Sequence, residues 1–132
     1  MKYLLDTNVC ADFLNRRYPN VVERLTQASP EDLCLSSVVV AELRYGADRS
    51  GRKEQNHEKL DVLTSEIQCL DFDLDAARVF GRIRTALEAD GMVIGPYDMM
   101  IAAHALSLGL VLVTDNEREF RRVARLKIEN WR

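Results

Sequence analysis

Four acids in this sequence stand beside short apolar runs rather than inside charged ones. Asp6 closes the run Tyr3-Leu4-Leu5, and Asp115 follows Thr114 at the end of Leu110-Val111-Leu112-Val113. Asp98 comes just after Gly95-Pro96, where a long apolar segment opens, and Glu42 lies between Val38-Val39-Val40-Ala41 and Leu43. Each has an ordinary explanation on its own. Asp6 suits a helix N-cap, Asp98 favours a helix N-terminus through the macrodipole, Glu42 can sit on a helix surface, and Asp115 can open a turn. Their joint placement is what points to chemistry. Two carboxylates about 5 Å apart repel by roughly 3 kcal/mol at an effective dielectric near 20, or about 2 pKa units. Several such pairs stay ionised at neutral pH only with a cation among them. An all-oxygen set without a partnered His or Cys suits Mg²⁺ or Mn²⁺, not zinc. Magnesium held by few carboxylates keeps waters and recruits phosphate oxygens, so the pattern points to metal-assisted attack of water on a phosphoester.

These acids need a frame to bring them together. Short apolar runs predict strands at 3–5, 33–35, 67–70 and 110–113, with a last edge strand at 127–129. Helical spacing predicts helices over 7–15, from Pro19, from Ser37 and over 52–65. Ala76, Phe80, Ile83 and Leu87 form a further stripe closed by Gly91. The segment from Tyr97 to Leu108 is apolar nearly all round, which predicts a central helix, and Gly109 caps it. Strands alternating with helices predict a three-layer α/β/α fold with a mostly parallel central sheet of four to five strands, as one domain over 1–132. Such a sheet places its ligand site at the carboxyl ends of its strands. Two of the four acids fall there.

Several segments together resemble the VapC family of PIN-domain ribonucleases. They are Leu4-Leu5-Asp6-Thr7-Asn8, Ser36-Ser37 leading to Glu42-Leu43-Arg44-Tyr45-Gly46-Ala47, and Ile94-Gly95-Pro96-Tyr97-Asp98 with Ile101-Ala102-Ala103-His104-Ala105. Leu112-Val113-Thr114-Asp115-Asn116, Arg118-Glu119-Phe120 and the ending Glu129-Asn130-Trp131 complete the match, in the same order along the whole chain. The resemblance implies a PIN-like fold and a toxin of a toxin–antitoxin pair that cuts RNA, with tRNA one possible target, using Mg²⁺ or Mn²⁺. It implies Asp6, Glu42, Asp98 and Asp115 as the acidic cluster, with Asp6 and Asp98 as metal ligands. Thr7, Asn8, Ser37, Thr114 and Asn116 would be polar supports that orient the carboxylates. It also implies a homodimer and a small VapB-type antitoxin that covers the acidic groove.

The charge balance refines this picture. With 18 Lys and Arg against 21 Asp and Glu, the net charge is −3, which excludes a basic protein that coats nucleic acid. If four acids form a metal site, the remainder balances at 18 − 17 = +1. Arg118, Arg121, Arg122, Arg125, Lys127 and Arg132 give the end of the chain a basic bias. Arg118, Arg121 and Arg122 could contact RNA phosphates or simply pair with acids along a helix face. Glu117 to Glu119 read as solvated. Cys10, Cys34 and Cys69 read as small buried hydrophobes of a reducing compartment. No apolar run reaches the roughly 18 residues of a membrane span, and the expected location is cytoplasmic. His104 is off the face of Asp98 and is not expected to bind metal. Trp131 is expected to pack the end of the chain against the sheet.

Two other readings compete. A haloacid-dehalogenase-like phosphatase also has an Asp after its first strand, but expects a second acid where this chain has Asn8. A non-catalytic RNA-binding regulatory module would have no need of all four acids.

Overall fold

The computed structural model describes residues 1–132. Its sheet has five strands in the order β3-β2-β1-β4-β5, all parallel: β1 (Tyr3–Leu5), β2 (Leu33–Ser36), β3 (Gln68–Leu70), β4 (Val111–Val113) and β5 (Ile128–Glu129). The helices are α1 (Thr7–Leu14), α2 (Pro19–Gln27), α3 (Ser37–Asp48), α4 (Lys53–Glu66), α5 (Leu74–Ala89), α6 (Pro96–Leu108) and the short α7 (Glu117–Phe120). Every residue of β2 is buried, as are Leu4, Leu5, Leu112 and Val113, so both faces of the central strands are covered. That is the condition for a parallel sheet, and it explains why these strands read as unbroken apolar runs.

The chain runs outward from β1 to β2 and β3, then returns across the sheet through α5 and α6 to pair β4 with the other side of β1. The β1/β4 boundary is therefore the topological switch point, where a crevice opens beyond the strand ends. Leu5 pairs with Val113. Asp6 and Thr114, the next residues of the two chains, thus emerge side by side at that crevice.

Helix ends follow their local chemistry. Ser36, the last residue of β2, caps α3 by accepting the Val38 N–H at 3.1 Å. Its Oγ also lies 2.8 Å from His104 Nδ1 on the buried α6, which ties that helix to the sheet. Pro96 opens α6 at the position where a missing N–H costs nothing. Gly109 ends it in the left-handed region at φ 67°, a conformation that favours glycine. Trp131 packs edge-on against Tyr3, with ring centroids 5.0 Å apart, as expected of a residue that fixes the end of the chain. One expectation fails: Cys10 and Cys34 are buried, but Cys69 is exposed because β3 is an edge strand with one open side. No helix is long and apolar enough to cross a membrane.

Candidate active site

Asp6 anchors the crevice. Its backbone N–H continues the ladder by donating to Val113 O at 2.9 Å. Its Oδ1 accepts from Thr7 N at 2.8 Å and its Oδ2 from the Thr114 hydroxyl at 2.7 Å. The N-cap role and a functional role therefore coexist in one side chain. Only 4% exposed, Asp6 has its carboxyl pKa pushed up by burial, against the two hydrogen bonds, with the charges of Asp115 and Glu42 pushing the same way as burial.

The polar neighbours orient the other acids. The Thr7 hydroxyl donates to Glu42 Oε1 at 2.7 Å, which fastens α3 to the start of α1. Asn8 Nδ2 donates to Asp115 Oδ1 at 3.3 Å. The Thr114 hydroxyl, while donating to Asp6, accepts from Asn116 N at 3.0 Å and so shapes the turn after β4. Ser37 behaves differently from the expectation: its hydroxyl accepts from Phe72 N at 3.0 Å and holds the β3–α5 connection. Ser36 and Ser37 are thus used for capping and for the loop, not for the acids.

Asp98, in the first turn of α6, is the most perturbed of the set. Burial pushes its carboxyl up to about 7, helped by the charges of Asp6, Glu119 and Glu42 and by a hydrogen bond with Glu119. Glu119 is the residue that sequence reasoning missed. It lies on α7, where Asn116 Nδ2 donates to its Oε2 at 3.1 Å and keeps it turned toward Asp98. Placed among charged neighbours, it read as solvated; its spacing in Asn116-x-x-Glu119, that of a capping box, was the available signal.

The five acids arrive from the end of β1, α3, α6, the end of β4 and α7, and burial, with the charge of neighbouring acids added to it, raises the pKa of Asp6 and Asp98. One cation touches them: Arg132 Nη1, 3.0 Å from Asp115 Oδ2. Repulsion of this kind disfavours full ionisation until a dication enters, and the donors are all hard oxygens, so the residues fit Mg²⁺ or Mn²⁺. No three His, Cys, Asp or Glu side chains are already gathered at ligating distance. The acids form an open set, the kind that binds an ion together with waters and substrate oxygens. His104 is buried and bonded to Ser36, away from metal chemistry.

Beside Glu42 and Asn8 a groove of about 510 Å³ runs between α1, α3 and α4, lined by Leu43 and Leu60 and by the cations Arg49 and Lys59. Of the arginines on and just after α7, Arg118 is exposed, Arg121 pairs with Glu117 at 3.2 Å, and Arg122 donates to Val93 O at 3.3 Å.

The chain matches the PIN domain family over residues 3–126. It is 42% identical to the protein named Ribonuclease VapC2 of Rickettsia felis, with 99% of this chain and 98% of that one aligned. It is equally 42% identical, with the same coverage, to the tRNA(fMet)-specific endonuclease VapC of Shigella flexneri. Among solved structures, DNA-bound VapBC from Salmonella typhimurium superposes with a TM-score of 0.94 at 40% identity, covering 100% of this chain and 99% of that one. VapBC2 from Rickettsia felis, bound to a promoter DNA fragment, superposes at 0.90 with 38% identity and complete coverage of both chains.

Proposed function

The chain belongs to the PIN-domain family, among its VapC ribonucleases, and on that premise we propose that it is a toxin whose acidic groove hydrolyses RNA with Mg²⁺. Ribonuclease activity and dependence on a divalent metal come with the family; the choice of Mg²⁺, with Mn²⁺ as substitute, rests on the all-oxygen donor set. The observation that carries the assignment of the groove is the joint arrival of Asp6 and Asp98 from a strand end and a helix start, with Asp98 held near 7. A phosphatase of the haloacid-dehalogenase type has no support, since Asn8 stands where its second acid belongs and serves instead to hold Asp115.

In this reading Asp6 and Asp98 would hold the ion, with Glu42 and Asp115 as the neighbouring acids of the cluster. A divalent ion bound there supplies charge neutralisation for a backbone phosphate and acidity for a water. Thr7 and Thr114 keep Glu42 and Asp6 from rotating, so the ligand oxygens are in place before substrate arrives. Asp98 and Glu42 are the candidate acceptors for the proton of the attacking water. In-line attack by water leaves a 5′-phosphate and a 3′-hydroxyl. Exposed Arg118, with Arg121 and Arg122 beside it on α7 and just after, would hold the flanking phosphates.

The substrate class proposed is tRNA, since the Shigella flexneri relative is named for tRNA(fMet). The partner is a small antitoxin of the VapB kind, since the solved relatives are VapBC complexes. The groove between α1, α3 and α4 opens directly onto Glu42, so a segment seated in it would also cover that acid. A homodimer and a cytoplasmic setting complete the proposal. The test is incubation of the purified protein with tRNA and Mg²⁺. Discrete fragments with 5′-phosphate ends, absent when the metal is chelated, are expected. Fragments ending in a 2′,3′-cyclic phosphate, or cleavage that survives chelation, would contradict it.

A further inference from the structure

Arg132 is the one cation paired with an acid of the cluster, and its remaining contacts determine how it is held there. Its Nε and Nη2 donate to both oxygens of Asp12 on α1, at 2.8 and 3.2 Å. Asp12 is only 3% exposed, and the two-pronged geometry fixes the plane of the guanidinium. The ring of Tyr18 covers the guanidinium face at 4.2 Å. The backbone is held as well: Arg132 N donates to Asn130 Oδ1 at 3.0 Å, and Asn20 Nδ2 donates to Arg132 O at 3.3 Å. With two nitrogens committed, the third reaches Asp115 Oδ2 at 3.0 Å, while Asn8 Nδ2 holds Oδ1. Both oxygens of Asp115 are therefore engaged by the chain itself, Oδ1 by a hydrogen bond and Oδ2 by an ion pair. Asp6, Glu42 and Asp98 have no such cation.

We propose that Arg132 is a positioning residue that withholds Asp115 from the divalent ion, keeping it as the guanidinium's own counter-ion and leaving Asp6, Asp98 and Glu42 to carry the metal. This rests on the acidic groove being the metal site. Asp12 sets the arginine, the arginine sets Asp115, and the number of carboxylates open to an ion is fixed by a residue outside the cluster. Removing the guanidinium frees one carboxylate and deletes one positive charge beside the ion, and both changes favour cation binding.

The experiment is titration of the full-length, RNA-free protein with Mn²⁺ by calorimetry, with thermal unfolding as a check on folding. Arg132→Gln is expected to bind Mn²⁺ about tenfold more tightly or to take up a second equivalent. That variant leaves Asp12 buried and unpaired, a destabilising change. Asp12→Asn with Arg132→Gln removes both charges together and should show the same gain in a folded protein. Adding Asp115→Asn to the double variant should abolish the gain, because the freed carboxylate is its source. A folded double variant with wild-type or weaker Mn²⁺ affinity overturns the role of Arg132 while leaving the metal site standing. A wild-type protein that binds no Mn²⁺ overturns the site, and this inference with it.

Discussion

Between roughly pH 4 and 7 the folded chain keeps on Asp98 a proton that the unfolded chain has already released. The native state binds more protons across that window, so the metal-free protein loses stability as pH rises through it and levels off above 7. Asp98 is only half-buried, so solvent screening reduces the effect to about 1 kcal/mol, or roughly 3–6 °C of melting temperature. Melting curves of metal-free protein should show this fall on going from acid to neutral pH, and Asp98→Asn should flatten it. An unchanged slope in the variant would place the titration elsewhere. Glu119 belongs to the same balance: it raises Asp98 both by charge and by hydrogen bond. Glu119→Gln should lower the Asp98 pKa and move the acidic limb of the pH–rate profile to lower pH. A profile that does not move would separate Glu119 from the site.

Two strand ends and one helix start hold the site, and each was legible where its cause is local. Leu5 and Val113 end apolar runs and Asp6 and Thr114 follow them, so the crevice could be placed from sequence once a parallel sheet was expected. Gly95-Pro96 and Gly109 bracketed α6 for equally local reasons. What could not be read was pairing across distance. Asp12 and Arg132 lie 120 residues apart, and nothing near either one announces a buried bidentate pair. Glu119 looked solvated because its neighbours are charged, although α7 is one short turn that directs it inward. The link between the β4 end and β1 can be tested at Thr114, which is fully buried. Thr114→Val keeps the shape but deletes the donor to Asp6 Oδ2, and should cost about 1–3 kcal/mol in denaturant unfolding together with a loss of Mn²⁺ affinity. A Thr114→Val protein that binds Mn²⁺ like wild type would show that Asp6 needs no such support.

A net charge of −3 first suggests a protein that avoids nucleic acid, but the distribution matters more than the sum. Asp6, Glu42, Asp98, Asp115 and Glu119 gather at one crevice, while Arg118, Arg121 and Arg122 lie on or just after the short helix that carries Glu119. On the proposed function, RNA would be held through the ion and a narrow basic rim. Few phosphates are neutralised by side chains, so log K against log salt should fall with a shallower slope than for a basic RNA-coating protein. A steep slope in Mg²⁺-containing buffer would point to a wide basic footprint that this charge pattern does not provide. The central claim is that Asp6 and Asp98 hold the ion that hydrolyses RNA. Its most direct test is tRNA cleavage in Mg²⁺ by wild type beside Asp6→Asn and Asp98→Asn, with each variant shown to be folded by its melting curve. Loss of at least about a hundredfold in rate is expected for each isosteric change. Cleavage near the wild-type rate in either folded variant would contradict the claim.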